Sequence, residues 1–201
     1  LLGGNPYKDK LTSHSSGKCG LHVHLDKPES VLHATRLAQF YNSPINEELI
    51  RCVARRYKTD GYAKVAPHQG DTVLAAKRVR NNIRNGYDSK RGAIRRAITA
   101  INGDDRYVAV NFQPERTAEV RIFRGSMIAG TVIACLEFAV LSWYFTRDTE
   151  KKNLTTERFL KFISLPEWRH ESAYLRKYLH NKGYKNVFMP KNTKRSMTVE
   201  V

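Results

Sequence analysis

The stretch Gly20-Leu21-His22-Val23-His24-Leu25-Asp26 alternates between apolar and polar side chains from its second residue onward. Because neighbouring side chains of a β-strand point to opposite faces, the three apolar residues share one face, and His22, His24 and Asp26 share the other. Successive groups in the polar row are about 7 Å apart, which suits a metal ion or a cluster of phosphates. The stretch therefore predicts a half-buried strand, whose polar row is either functional or a solvent-facing edge.

A second alternating segment, from Thr117 to Phe123, carries Thr117, Glu119, Arg121 and Phe123 on one face. A carboxylate flanked by guanidinium groups can bind a metal beside phosphate and carboxylate anchors, since Arg pairs with both anions in a bidentate way. The alternative is a cross-strand ladder of salt bridges. The arginines near this carboxylate in the sequence are Arg106, Arg116, Arg121 and Arg124.

The residues before this strand predict its hairpin partner. Residues 106–112 alternate in the same way, and Gln113-Pro114-Glu115-Arg116 has the composition of a turn. We therefore expect an α+β domain in which an antiparallel sheet is covered by helices on one face. Helices are predicted at about 31–42, after an Asn46 cap, over 73–103, over 127–144, after Thr155 and from Pro166 to Gly183.

Composition narrows the class of protein. The 201 residues include 35 Lys and Arg against 19 Asp and Glu, and this net charge of +16 favours anionic partners such as nucleotides, nucleic acid or acidic peptides. A hydrophobic content of 41% with many aromatic residues excludes a disordered chain. Three cysteines are too few for a disulfide framework, so we expect a reducing, cytoplasmic setting.

One segment resembles a membrane span by length. Residues 127–145 are nearly all apolar and are about as long as a bilayer-spanning helix. Glu137 lies near the middle, where a carboxylate is costly at bilayer depth, and charged residues follow directly. We therefore predict a buried core helix and no membrane partner.

Two motifs together resemble a known family. The stretch at 20–26 resembles the Gly-x-His-x-His motif of the glutamine synthetase superfamily, and Ala118-Glu119-Val120-Arg121-Ile122-Phe123 resembles its later Glu-x-Arg strand. Their order is similar to that of the amidoligase branch of carboxylate–amine ligases, and the resemblance covers roughly residues 17–145. Further similarities to that branch are Cys19, the basic loop at 55–62, Arg106-Tyr-Val-Ala-Val-Asn, Phe123-Arg124-Gly125-Ser126 and the apolar helix with Glu137.

The resemblance implies a glutamine-synthetase-like catalytic domain that forms an amide or isopeptide bond. ATP would phosphorylate a carboxylate, and an amine would displace phosphate from the acyl phosphate, with Mg²⁺ or Mn²⁺ ions bridging the phosphates. An acidic peptide or a cell-wall fragment would suit the positive charge, and Asp26 would have a supporting role. The implied roles are metal binding for His22 and Glu119, nucleotide binding for His24 and Arg124, and charge neutralisation at the transferring phosphoryl group for Arg121 and Arg106.

The same resemblance divides the chain. Residues 1–146 would form the C-terminal part of the ligase core, and residues 147–201 a helical extension with a basic tail. The superfamily's metal site also takes carboxylates from an N-terminal Glu-x-Glu strand, yet Asp9 is the only acidic residue before Cys19. We therefore expect either a fragment that lacks this strand or a degenerate site, and the oligomeric state is open.

Other functions remain open at this point. Cys19, His22 and His24, with His14, could bind zinc, although their spacing is not a standard zinc pattern. A Cys–His nucleophile on the same residues lacks an assignable acid and oxyanion donors. The basic stretch Lys77–Arg96 could bind nucleic acid or an acidic protein, so that the chain would be a basic structural or nucleic-acid-associated protein with a degenerate ligase-like fold.

Overall fold

The computed structural model describes residues 20–56, 81, 84–85, 90–99, 101 and 108–184. These residues contain three β-strands and six α-helices, which confirms the predicted α+β class. Short 3₁₀ helices lie at Pro44–Asn46, Lys151–Asn153 and Pro166–Trp168. The main elements are β1 (Gly20–Asp26), α1 (Val31–Asn42), α2 (Glu47–Ala54), α3 (Lys90–Thr99), β2 (Val110–Asn111), β3 (Thr117–Arg124), α4 (Ala129–Asp148), α5 (Thr156–Phe162) and α6 (Ala173–Asn181).

The three strands form one antiparallel sheet in the order β1-β3-β2. β1 pairs with β3 along its whole length, from Gly20 opposite Arg124 to Asp26 opposite Thr117. The bounds of β1 are those that its alternating sequence predicts, because one face packs on the core and the other faces solvent.

A β-bulge interrupts the pairing of β1 with β3. Between two regular pairs, β3 places two residues, Arg121 and Ile122, against the single residue His22. The extra residue reverses the alternation beyond it, so Phe123 is fully buried and its ring packs edge-on against Phe138. The prediction that Phe123 shares the polar face is therefore wrong.

The hairpin predicted around Pro114 is confirmed, since β2 pairs with β3 in antiparallel register. Its first strand is shorter than the predicted 106–112, of which residues 106 and 107 lie outside the described part. The strand ends at Asn111, whose Oδ1 accepts a hydrogen bond of 3.0 Å from the backbone N–H of Gln113. This hydrogen bond forms the start of the turn.

The helices α1 and α2 begin after polar residues, as their sequences predict. Oγ of Ser30 accepts a hydrogen bond of 3.1 Å from the backbone N–H of His33, which caps the first turn of α1. Asn46 occupies the N-cap position of α2, but its side chain makes no capping bond. It is fully buried and donates to the carbonyl oxygens of Phe40 and Leu154 instead, so the predicted capping role of Asn46 is wrong.

The helix α4 is the centre of the core, and it runs four residues beyond its predicted end at 144 because Phe145 and Thr146 are also buried. By length and composition α4 could cross a membrane: its most apolar 18-residue window has a mean hydropathy of 1.4, and 44% of that window is buried inside the protein. The core helix of a soluble protein passes the same test. The ring of Phe138 contacts the rings of Phe40, Tyr41, Phe123 and Phe159.

The carboxylate of Glu137 joins α4 to α6. Oε1 lies 3.3 Å from the backbone nitrogen of Tyr174, and Oε2 lies 2.6 Å from that of Leu175. These N–H groups have no partner within α6, because the first turn of a helix leaves its donors free. Ser172, at the N-cap position, directs its hydroxyl to the carbonyls of other residues. A side chain of a neighbouring helix therefore caps α6.

The C-terminal helices belong to the same core as the sheet. Phe159 of α5 and Leu175 of α6 are fully buried in one cluster with residues of α1 and β3. The predicted boundary at residue 146 falls within α4, and it stays a prediction. The predicted helix from Pro166 to Gly183 is divided into a 3₁₀ turn and α6, and Gly183 follows α6 with φ +103, a conformation that favours glycine.

Candidate functional site

The polar face of β1 carries two imidazoles. The side chains of His22 and His24 are 39% and 52% exposed, whereas Val23 between them is buried. Leu21 and Leu25 are partly buried and pack against the core. The alternation predicted for this strand is therefore confirmed.

The carboxylate of Glu119 lies at the centre of this polar face and is nearly buried. Oε1 is 2.8 Å from Nδ1 of His22 and 3.8 Å from Nε2 of His24. Oε2 accepts hydrogen bonds from Nδ2 of Asn111 at 3.0 Å and from Nη1 of Arg121 at 3.2 Å. The carboxylate therefore contacts polar side chains from all three strands.

Strand register explains why these groups meet. His24 lies opposite Glu119 across β1 and β3, and Asn111 lies opposite Glu119 across β2 and β3. The three side chains therefore form one row across the sheet, at the distance of directly paired residues. Oγ1 of Thr117 lies 3.0 Å from Nδ1 of His24 and orients that ring.

The surroundings of Glu119 favour its ionised form. Burial alone would raise the pKa of this carboxyl group, because a low-dielectric environment penalises the charge. The hydrogen bond from Asn111 and the charges of Arg121, His22 and His24 outweigh burial, so the pKa of Glu119 lies below its ordinary value. Glu119 is therefore an anionic ligand or hydrogen-bond acceptor at neutral pH, and not a proton donor.

The predicted arginines lie in different places. Arg121 contacts Glu119, and its side chain is 14% exposed. Arg124 is the last residue of β3, beyond the bulge and opposite Gly20. Arg106 lies outside the described residues, so its predicted role at the phosphoryl group cannot be placed in the fold. The catalytic and nucleotide-binding roles of these arginines stay predictions.

Two further arginines, to which the sequence motifs assign no role, hold the end of β3. The guanidinium group of Arg55 donates to the carbonyl oxygens of Arg124 and Gly125. Nε of Arg56 donates to the carbonyl oxygen of Ile122 at 2.8 Å. Arg55 itself ends α2 with φ 57, a left-handed conformation that turns its side chain toward the sheet. These contacts anchor the backbone at the bulge and beyond it.

The sequence motifs assign no role to Asn111 or Thr117, which contact Glu119 and His24 respectively. Both residues lie at the turn ends of alternating segments that the sequence does predict. Their chemistry alone gives no signal, because Asn and Thr are common at strand ends. Alternation places Thr117 on the polar face, but only the pairing of the strands brings it next to His24 and brings Asn111 next to Glu119.

The polar face offers few ligand atoms for a metal ion. Among the residues that the structure describes, no group of three or more His, Cys, Asp or Glu side chains is arranged to hold a metal ion. Nδ1 of His22 and Oε1 of Glu119 offer two ligand atoms on one face. Two protein atoms, one of them a nitrogen, are too few for a dedicated Mg²⁺ site, because this ion takes about six ligands that are mostly oxygen atoms, so the predicted metal-binding roles stay predictions. Cys19 and His14, needed for the zinc alternative, lie outside the described residues.

The predicted basic surface is largely outside the described part of the chain. Within Lys77–Arg96, the structure describes side chains at 81, 84–85 and 92–96. Arg84 is exposed, and Nη1 of Arg95 is 3.0 Å from Oε1 of Glu115. Nucleic-acid or acidic-protein binding through this stretch stays a prediction.

No protein-family model, no curated protein and no solved structure matches the chain. The amidoligase resemblance therefore rests on the sequence motifs alone, and the function that follows from it is a proposal.

Proposed function

We propose that the chain acts in the ATP-dependent joining of a carboxylate to an amine through an acyl phosphate, as in the glutamine-synthetase-like amidoligases. The observation that carries this proposal is the direct contact of Glu119 with both His22 and Arg121. The two motifs on which the resemblance rests are distant in sequence, and a ligase site requires these residues to share one face.

The chemistry of the polar face is suited to a nucleotide with its metal ion. His22 and Glu119 would bind one Mg²⁺ or Mn²⁺ ion, which would neutralise charge on the phosphates when bound. His24 can donate from Nε2 to a phosphate oxygen, since Thr117 engages Nδ1. Arg121 adds a fixed positive charge next to the carboxylate. Phosphoryl transfer depends mainly on such positioning and charge stabilisation.

A purely structural role for the same cluster is the competing interpretation. The contacts of Glu119 with three strands would stabilise the sheet without any ligand, as satisfied buried polar networks do. The two interpretations differ in whether a nucleotide binds, so binding is the property to measure.

The test is a calorimetric titration of Mg-ATP into the chain at two salt concentrations. We expect saturable binding with mild salt dependence. We expect Glu119→Gln to weaken it at least about tenfold, because contacts to charged groups contribute about 1.5–3 kcal/mol. Glu157→Gln is the matched control, since Glu157 is an exposed carboxylate paired only with Lys161, and it should bind as the unmodified chain does.

A second variant distinguishes a direct loss of binding from a loss caused by misfolding of Glu119→Gln. His22→Gln removes a predicted metal ligand that is 39% exposed and leaves the buried carboxylate in place. It should also weaken binding while the thermal unfolding midpoint stays near that of the unmodified chain. Weak binding that salt abolishes and that neither variant changes would overturn the proposal, and would favour the basic nucleic-acid-associated alternative.

A further inference from the structure

A cleft lies at one end of the sheet, bounded by the segment between β1 and α1, by α3 and by the turn between β2 and β3. Its volume is about 1070 Å³, slightly above the roughly 300–1,000 Å³ that small-molecule sites span. Trp143 of α4 supplies an aromatic wall, next to the apolar side chains of Ile94 and Ile98.

Part of the charge in the cleft is engaged and holds its walls together. Nζ of Lys27 donates to Oγ1 of Thr99 at 2.9 Å and to the carbonyl oxygen of Pro114 at 3.0 Å, which ties β1 to α3 and to the turn. Nε1 of Trp143 donates to the carbonyl oxygen of Asp26 at 3.0 Å and fixes the indole. These bonds preorganise the cleft, which lowers the cost of ordering it around a ligand.

Three charged side chains of the cleft are available to a ligand. Within the described part of the chain, the side chains of Asp26, Glu29 and Arg116 are exposed and make no hydrogen bond or ion pair. Their backbones are neighbours, because the N–H of Lys27 donates to the carbonyl oxygen of Arg116 at 3.1 Å. All three residues, two acidic and one basic, line the cleft.

The charge balance of the cleft differs from that of the whole chain. Three acidic and three basic residues line it, whereas the chain carries a net charge of +16. A site selective for anions would instead concentrate positive charge. Positive and negative side chains beside an apolar wall suit a ligand that itself carries a positive and a negative charge.

We propose that this cleft binds a zwitterionic ligand of the amino acid or short peptide class. Its ammonium group contacts Asp26 and Glu29, its carboxylate pairs with Arg116, and its apolar part packs on Trp143. Arg recognises carboxylates through two parallel hydrogen bonds, and an ammonium group is also attracted to the face of an indole. This binding does not depend on ATP or on the cluster around Glu119.

The experiment uses the dipeptide leucyl-alanine as the probe, with its N-acetylated and C-amidated forms. The chain has two tryptophans, so Trp168→Phe leaves Trp143 as the reporter of fluorescence, and calorimetry provides a second readout. We expect the unmodified dipeptide to bind saturably. Each blocked form should bind at least about tenfold more weakly, the loss expected for one charge-assisted contact.

Variants assign each end of the ligand. Arg116→Gln should weaken binding of the unmodified dipeptide about tenfold and leave that of the amidated form unchanged. Asp26→Asn combined with Glu29→Gln should also weaken binding of the unmodified dipeptide, and should leave that of the acetylated form unchanged. Arg169→Gln and Glu171→Gln, at exposed positions outside the cleft, are the controls. Equal affinity for all three forms, or no saturable signal by either readout, would overturn the inference. Glu119→Gln should leave dipeptide binding intact, so this result is independent of the nucleotide test.

Discussion

Nδ1 of His22 lies 2.8 Å from Oε1 of Glu119, although these residues are on different strands and are not directly paired. The bulge in β3 lies opposite His22, and the direct partner of Glu119 is His24. The imidazole of His22 therefore contacts, diagonally across the two strands, a carboxylate whose directly paired residue is His24. This contact unites the two sequence motifs in one site.

The hydrogen bond from Asn111 should control the ionisation of Glu119. Removing it in Asn111→Ala takes away a cause that lowers the pKa of Glu119, so this pKa should rise toward its ordinary value. Asn111→Asp should raise it further, because a second carboxylate would then lie beside the first. The measurement is an NMR titration of the Glu119 carboxyl carbon. An unchanged pKa in both variants would contradict the electrostatic account.

The ionised form of Glu119 should stabilise the fold in a pH-dependent way. Its pKa in the folded chain lies below the ordinary value of 4.5, so its contribution is complete above about pH 4.5 and is lost as the pH falls through the folded pKa. The free energy of unfolding by urea should therefore exceed that of Glu119→Gln at pH 7, by about 1–3 kcal/mol for a buried acceptor of charged donors. That difference should shrink on acidification, and a constant difference would be the contrary result.

The cap that Glu137 provides for α6 should contribute measurably to stability. Glu137→Ala should cost about 0.5–2 kcal/mol, as does the loss of other helix caps, and should speed hydrogen exchange at Tyr174 and Leu175. Glu150→Ala, at an exposed position, is the control and should change stability by no more than about 0.5 kcal/mol. Unchanged exchange at both amides would show that the contact is not a cap.

The ionisation of Glu137 should act in the opposite direction to that of Glu119. Burial raises the pKa of Glu137, although the backbone hydrogen bonds from Leu175 and Tyr174 oppose this. The folded chain therefore binds a proton at Glu137 more tightly than the unfolded chain does, and stability is lost as the pH rises from the ordinary value of 4.5 through the folded pKa. Across that interval the unmodified chain should lose stability relative to Glu137→Gln. A gain in stability relative to Glu137→Gln over the same pH interval would contradict the raised pKa of Glu137.

The aromatic cluster around α4 should dominate core stability. Phe138→Ala should cost about 3–5 kcal/mol, because it opens a cavity among four aromatic rings. Leu136→Ala is the matched control on the same helix, since Leu136 is 41% exposed, and it should cost far less. Equal losses in chemical denaturation would indicate that α4 does not pack as described.

Local patterns were sufficient to predict the elements that carry the site. The bounds of β1 follow from its alternation, and the start of α1 follows from Ser30, whose capping bond depends only on nearby residues. The shared face of His22 and Glu119 was also predictable, once both strands were assigned to one sheet. The amidoligase resemblance pointed to the same two residues.

Features that depend on distant pairing could not be predicted in the same way. The bulge arises only when β1 and β3 are aligned, so alternation alone places Phe123 on the wrong face. Asn111 lies in the site because β2 pairs with β3 in the register that places it opposite Glu119. Asn46 does not cap α2, since its side chain donates to the carbonyl oxygen of Leu154, which is far along the chain. Each case requires a partner that the local sequence does not contain.

The most direct test of the nucleotide site uses Mn²⁺ as a paramagnetic probe. The imidazole NMR resonances of the chain would be followed as Mn²⁺ is added with a non-hydrolysable ATP analogue. The proposed function predicts that the signals of His22 and His24 broaden first, while those of His33, His170 and His180 stay sharp. Broadening that is equal across these histidines, or absent from His22, would contradict the assignment of the polar face around Glu119 as a metal–nucleotide site.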